Sequence, residues 1–367
     1  MVIALVAQPP YSGRVDDRLL GTQRPLPFSL TGGGSHYEVV RLLAAGSMGT
    51  VYLARRTGIG GFARDVALKL APPRYARTLF HEARILARLG HRNVVQAYDF
   101  GRAPDGQHYL AMELVHGRSV RAVLEHAADR QSLLPLGAWL SIGLGAAMGL
   151  AHAHDLCDDD GELVGLVHRD VSPSNLLLDH DGAVKVVDFG VAKLGALLSP
   201  LPPGPARGCA GYMAPESLAH RDVDLRSDVF SLGVVLYELA TLRRAFPAPV
   251  RVAGGAQLRS LPIPPTRLIA RFPARIEEII MTAMHPDPRA RFQTADALRA
   301  AIEDVAELLG VAIGDAPIAR TMAAMFGPIR VLDDGCDDSG DGPRRNSGPF
   351  DAVEYITIEA EVEEAAR

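Results

Sequence analysis

Cysteine is scarce in this chain: three residues in 367, at Cys157, Cys209 and Cys336, an odd number with no CxxC pair. That excludes a disulfide framework and a thiolate zinc site of the usual spacing, and it fits a reducing compartment. No sustained lysine or arginine run is present and the formal charge is −5. The basic footprint of a nucleic-acid or anionic-membrane binder is therefore missing. Apolar residues are not in short supply, at 48% against 22% charged. This is enough for a sizeable core and too much for global disorder. The first seven residues are apolar but too short and too uncharged for a secretory signal.

One stretch lacks charge altogether. Residues 133–150 hold eighteen consecutive uncharged positions, the length of a membrane span. Pro135 and four glycines interrupt it, and it reads as a buried core helix. No membrane insertion is expected.

Composition divides the chain. Residues 1–35, rich in Pro, Gly, Ser and Arg and ending in Gly32-Gly33-Gly34, read as a flexible leader. From Tyr37 short β-branched and apolar runs (YEVVRLLAAG, SMGTVYLARR, DVALKLA) predict antiparallel strands. Residues 77–89 switch to helical spacing, with Leu79, Ala83, Leu86 and Leu89 on one stripe. Residues 93–100 and 108–115 predict two more strands, joined at Pro104-Asp105-Gly106. Beyond Gly117 the pattern is mainly helical, with helices over 227–240, 275–284 and 294–309. Residues 310–330 show no clear pattern and the chain turns acidic from Asp333, so 310–367 are expected to form an acidic tail without fixed structure. The expectation is an α+β fold of two lobes within residues 36–309: a small antiparallel sheet with one key helix (about 36–113) and a larger, mainly helical lobe (about 117–309).

The strongest chemical signal is His168-Arg169-Asp170-Val171-Ser172-Pro173-Ser174-Asn175, followed thirteen residues after Asn175 by Asp188-Phe189-Gly190. An aspartate and an asparagine five apart, with a second aspartate downstream, supply what phosphoryl transfer needs. One carboxylate orients a hydroxyl and accepts its proton. The amide and the other carboxylate hold metal against the phosphates. Upstream, Gly46 and Gly49 punctuate a strand pair that runs on into Val51, and Val66-Ala67-Leu68-Lys69 lies thirteen residues before Glu82 in the predicted helix.

On these motifs the chain resembles the eukaryotic-type protein kinase family, in the style of its bacterial serine/threonine members, over about residues 37–309. The resemblance implies ATP bound with Mg²⁺ or Mn²⁺ between the lobes, and a γ-phosphoryl group passed to a Ser or Thr of a protein substrate in the cytoplasm. By the same resemblance Lys69 meets the α- and β-phosphates and Glu82 braces it. Asp170 orients the acceptor, Asn175 takes one metal ion and Asp188 the bridging one. Leu43, Val51, Ala67 and Leu177 sandwich the adenine, Met112 is the gatekeeper, and the backbones of Glu113 and Val115 meet the adenine edge. Gly46 and Gly49 belong to the phosphate-covering loop. His168 and Phe189 stack with Leu86 in a core that joins the lobes. Ala214-Pro215-Glu216 closes the activation segment, Asp228 braces the catalytic loop, and Arg291 is the partner of Glu216.

Three positions depart from the family pattern: Ala44 replaces the first loop glycine, Ser172 a lysine and Cys209 a threonine. They keep open an alternative, a nucleotide-binding pseudokinase that acts as a scaffold. A small-molecule kinase of the aminoglycoside type is a third reading, opposed by Ala214-Pro215-Glu216 and by the helix that carries Asp228. Ser199 and Tyr212 are the only hydroxyls between Gly190 and Tyr212. The proline-rich stretch there suggests ordering by packing or by a partner rather than by phosphorylation. Residues 155–165 form an acidic insertion that reads as a solvated loop.

Overall fold

The computed structural model describes residues 28–32, 35–46, 49–103, 105–189, 210–219, 221–246 and 262–327. Its first part is a six-stranded antiparallel sheet in the order β1-β2-β3-β4-β6-β5. The strands are β1 (Phe28–Gly32), β2 (Ser35–Gly46), β3 (Gly49–Thr57), β4 (Ala63–Ala71), β5 (Ala97–Arg102) and β6 (His108–Glu113). Helix α1 (Ala76–Leu86) crosses between β4 and β5. β4 is central, and its last six residues, from Val66 to Ala71, are buried in succession. That is why VALKLA reads as a continuous run rather than an alternation.

The second part opens with a three-stranded sheet, β7 (Gly117–Ser119), β8 (Leu176–Asp179) and β9 (Val184–Val186), around helices α2 (Val120–Asp129) and α3 (Leu136–His154). Helices α4 (Pro215–Leu218), α5 (Arg226–Thr241), α6 (Ala274–Ala283), α7 (Ala295–Leu308) and α8 (Asp315–Phe326) follow. Ser119 caps α2 by accepting from the Ala122 amide, and Thr294 caps α7 by accepting from Ala297.

α3 is the charge-free stretch. It is long and apolar enough to cross a membrane, but 78% of its most apolar window is buried inside the protein, against α5, α7, α8 and β9. Its glycines are close-approach points rather than interruptions. A Cβ on Gly143 would sit 2.5 Å from Leu236, and one on Gly149 would sit 2.7 Å from the Asn93 carbonyl oxygen. That second contact joins the two parts of the molecule. The Asn93 carbonyl accepts from Val186 N–H at 2.8 Å and Val95 N–H donates to Val186 at 3.1 Å. Residues 93–95, expected to begin a strand of the larger sheet, instead pair with β9, and β5 starts only at Ala97.

Both ends of the expected domain need correction. The leader was expected to run to residue 35, but β1 pairs with β2 through the register Leu30↔Tyr37, burying Leu30 to 1% exposure. The tail was expected from residue 310, but α8 continues the fold and buries Ile318 and Met322. Asp315, at its start, forms an ion pair with Arg92 at 2.5 Å. Phe326, at its end, lies against His126 and beneath the Arg118 guanidinium.

The start of α8 presses on the turn between β8 and β9. Gly182 has φ +93°, and a Cβ there would lie 1.9 Å from the Asp315 carbonyl oxygen. Gly182→Ala should therefore cost about 1–3 kcal/mol through backbone strain alone and also push α8 away. A lowered urea midpoint, with faster amide exchange in α8, is the expected result. An unchanged midpoint would show that α8 does not pack here.

Candidate active site

The helix period places Leu79, Glu82, Ala83 and Leu86 on the buried face of α1. A carboxylate on such a face needs a partner, because an unpaired buried charge is very costly. Lys69, projecting from β4, supplies it. Its ammonium lies 2.7 Å and 2.9 Å from the two Glu82 oxygens and 2.7 Å from Asp188 Oδ1. All three side chains are 10% exposed or less. Burial alone would favour neutral lysine, but the Asp188 and Glu82 carboxylates outweigh it and hold the ammonium protonated. Burial likewise works against the Asp188 charge, and the Lys69 ammonium more than offsets it, so its pKa falls below the ordinary value. Burial pushes Glu82 upward.

Asp170 and Asn175 form a second unit. The Asn175 amide nitrogen donates to the Asp170 carbonyl at 2.8 Å and to Asp170 Oδ2 at 3.1 Å. His168 orients the loop. Its Nδ1 accepts from the Asp170 amide at 3.2 Å, so the ring proton is on Nε2, which donates to the Val187 carbonyl at 3.0 Å. Val187 N–H in turn donates to the Asn175 carbonyl at 3.0 Å. Asp188, the next residue, is thereby tied to the Asp170 loop through main chain. His168 and Phe189 are in ring contact at 4.6 Å, and Phe189 shares one core cluster with Leu86.

Asp228 anchors this loop from the first turn of α5. It is fully buried and accepts from His168 N–H at 2.7 Å, Arg169 N–H at 2.8 Å and His154 Nε2 at 2.9 Å. Burial would raise its pKa; the hydrogen bond and charge of His154, with further bonds, win and lower it. Arg169 (φ 64°) and Asp188 (φ 56°) both lie in the left-handed region, at about 1–3 kcal/mol each. Such conformations persist only where surrounding contacts enforce them, here the Asp228 and Lys69 bonds.

Leu43, Val51, Ala67 and Leu177 are buried in one apolar cluster with Met112 and Val115. Five strands from both sheets supply these residues, forming an apolar wall between the lobes. Gly46 is exposed. Gly49 is fixed by packing as much as by any phosphate, since a Cβ there would lie 2.3 Å from the Leu70 carbonyl oxygen. Ser47 and Met48, at the tip of this hairpin, lie outside the described residues, as do Gly190, Ser199 and Cys209. The Glu113 side chain is held by Lys185 Nζ at 2.6 Å, so one carboxylate ties the hinge strand β6 to β9. Ser172 is buried.

The donors fit a hard divalent cation. Asn175 is 1% exposed, and its Oδ1 is buried without a hydrogen-bond partner. Its amide nitrogen is already committed, so the oxygen is available to a metal. Among the described residues no group of three or more His, Cys, Asp or Glu could hold a metal. An Asn175–Asp188 pair would suit Mg²⁺, which keeps few protein ligands.

Arg291 uses all five of its N–H donors. Nη1 and Nη2 grip Glu216 at 2.7 and 2.8 Å, and further bonds reach the His285, Arg226 and Pro286 carbonyls. Its side chain is 0% exposed and lies over Phe230. Sequence reasoning missed His154, the Glu113–Lys185 pair and a cluster of Tyr212, Glu238, Arg121 and Arg244. Glu238 was the readable signal, a carboxylate in the otherwise apolar run 229–240. Arg121 and Arg244 carried none.

The family model for the protein kinase domain matches residues 37–301. The chain is 36% identical over 304 residues to the tyrosine-protein kinase MasK of Myxococcus xanthus, covering 81% of this chain and 47% of that protein. It is 34% identical over 311 residues to the serine/threonine-protein kinase PknL of Mycobacterium tuberculosis, covering 83% of this chain and 73% of that one. The crystal structure of the Mycobacterium tuberculosis PknI kinase domain superposes with a TM-score of 0.55 at 29% identity, over 75% of this chain and 97% of that one. This chain thus spans about half the length of MasK.

Two outcomes follow from the buried charges. Arg291→Ala leaves Glu216 uncompensated and should cost about 3–5 kcal/mol. Arg291→Lys should not rescue it, because three donors on a flexible stem cannot replace a five-donor fork; chemical denaturation of the three proteins reads this. Because the Asp228 pKa is lowered on folding, its stabilisation is present above the ordinary value of 3.8 and lost as pH falls through the folded value. Asp228→Asn should be less stable at neutral pH, and its deficit relative to wild type should shrink on acidification. A deficit constant with pH would contradict the assignment.

Proposed function

The chain belongs to the protein kinase domain family, and from that premise we propose that it is an ATP-dependent protein serine/threonine kinase of the cytoplasm. The observation that carries this is the Lys69 ammonium held jointly by Glu82 and Asp188, with Asp188 tied through Val187 to the Asp170–Asn175 loop. Lys69 is positioned to meet phosphate oxygens as a fixed cation. Asp170, its backbone oriented by His168 and its carboxylate by Asn175, orients the acceptor hydroxyl and takes its proton. Asn175 and Asp188 would hold Mg²⁺ or Mn²⁺, which when bound would neutralise phosphate charge. The apolar wall of Leu43, Val51, Ala67 and Leu177 receives the adenine, with the Glu113 and Val115 backbones at its edge. Catalysis of this kind is mostly positioning and charge stabilisation, and a preformed charge network meets that need.

Ser172 removes one cation from the transition state. Loss of one oriented donor costs about 10²–10³ in rate, so a slow kinase is the reading rather than an inert one. Relatives named as kinases support catalysis, and none of the three reported favours a scaffold. The name of MasK leaves the acceptor hydroxyl to be measured, and retention of the serine/threonine reading rests on PknL.

Incubation of the full chain with labelled ATP and Mg²⁺ should give autophosphorylation on serine or threonine. Asp170→Asn and Lys69→Met should each lower it by at least about 10²-fold. Label on tyrosine alone would overturn the hydroxyl assignment. No label, together with a thermal shift on ATP addition, would point to the scaffold.

A further inference from the structure

Two exposed loops, one on each part of the molecule, take no part in the site described above. The first joins β3 to β4. Gly58 N–H donates to the Phe62 carbonyl at 2.8 Å, closing residues 58–62 into a turn. Gly60 and Gly61 hold φ of 71° and 81°, which glycine adopts without strain. The turn sends apolar side chains outward: Ile59 is 100% exposed and Phe62 64%. Its flanks are basic. Arg55 pairs with Asp65 at 3.1 Å, but Arg56 donates to the Ser35 hydroxyl and Arg64 to the Tyr98 hydroxyl. Those two partners are neutral, so the flanks keep a net positive charge.

The second loop precedes the catalytic loop. The insertion at 155–165, expected as a solvated loop, closes as a hairpin. Val164 N–H donates to the Leu156 carbonyl and Asp158 N–H to the Glu162 carbonyl, both at 2.8 Å, with Cys157 opposite Leu163 between them. Asp158 Oδ1 accepts from the Asp160 and Glu162 amides, both at 3.0 Å, and fixes the tip. Arg88, two residues past the end of α1, holds the base: it donates to the Cys157 carbonyl at 2.7 Å and pairs with Asp159 at 3.2 Å. Leu163 is 67% exposed and Val164 39%. Asp158, Asp160 and Glu162 surround them, exposed and without an ion pair among the described residues.

The two loops are complements. Each is preformed, so little ordering cost attends its docking. Each places a pair of apolar side chains in water inside a charged rim, the pattern of an interaction site, and the rims have opposite sign. A two-fold contact of either loop with its own copy would set like charges against each other. Contact of one loop with the other buries both apolar pairs and matches both rims. Both are exposed in the same molecule, so the match is made between molecules.

We propose that the Ile59–Phe62 loop of one copy docks on the 156–164 hairpin of another, and that the occupant of both surfaces is a second copy of this chain. Such a contact either closes as a dimer that makes it twice or extends head to tail.

The test is sedimentation velocity of the full chain as concentration rises through the micromolar range. Wild type should self-associate, and added salt should weaken the assembly because its rims are charged. Phe62→Asp and Leu163→Asp each spoil one half of the contact and leave the other half intact. Each variant alone should self-associate at least about tenfold more weakly. Mixed, they should form a one-to-one pair and nothing larger, the Leu163→Asp copy supplying the loop and the Phe62→Asp copy the hairpin. Wild type that stays monomeric at low salt would overturn the proposal whether or not the variants fold. Self-association that either variant leaves intact would also overturn it, as would two folded variants, checked by circular dichroism, that fail to pair on mixing.

Discussion

One buried cation organises the cleft. Lys69 lies on the central strand, where nothing but charge compensation keeps an ammonium ionised. Glu82 comes from α1 and Asp188 from the strand end after β9, so the two carboxylates belong to different lobes. Neither is well accommodated without the lysine, and the lysine needs both. Breaking one side of such a unit leaves a buried charge unpaired, at about 3–5 kcal/mol. The placement of α1 and the left-handed turn at Asp188 are consequences of that constraint rather than independent features.

The second lobe repeats the device with fixed donors. Asp228 collects two main-chain N–H groups and a histidine; Arg291 collects a carboxylate and three carbonyls. In each case a buried charge is saturated by groups from loops that would otherwise have no regular structure. Asp228 lies at the start of α5, where the helix dipole also favours an anion. This is why the catalytic loop can hold Arg169 at positive φ without a glycine. The loops are irregular, yet each is specified by one ionised side chain projecting from, or close to, a rigid helix.

Most of the site was legible in the sequence because its chemistry fixes residue type and spacing together. Asp170, Asn175 and Asp188 stood out by residue type and interval, and Glu82 by its place thirteen residues past Lys69 in the predicted helix. The small sheet and the main helices were legible from periodicity. What could not be read depends on partners remote in sequence. Arg92 and Asp315 are 223 positions apart, and no local pattern marks residues 315–326 as packed. Leu30 is buried only because β1 folds back on β2. The α3 glycines looked like interruptions because the groups that approach them, the Leu236 side chain and the Asn93 carbonyl, come from elsewhere in the chain.

The join between the lobes is made of two different kinds of contact. Its back is made of main chain: residues 93–95 pair with β9, and the Asn93 side chain also donates to the Val184 carbonyl at 2.9 Å. Gly149 lets α3 close to within contact of that strand, so the pairing is packed as well as bonded. Its front is made of side-chain charges, Lys69 with Asp188. A backbone ladder has one register and resists sliding, whereas a buried ion pair is held by charge and is costly to break from one side. The back of the join is therefore held by main-chain pairing at residues 93–95, and its front by the buried Lys69–Asp188 ion pair. The Glu113–Lys185 pair, beside the same segment, also ties β6 to β9. α8 is tied to the same join through Asp315 and Arg92, which immediately precedes Asn93.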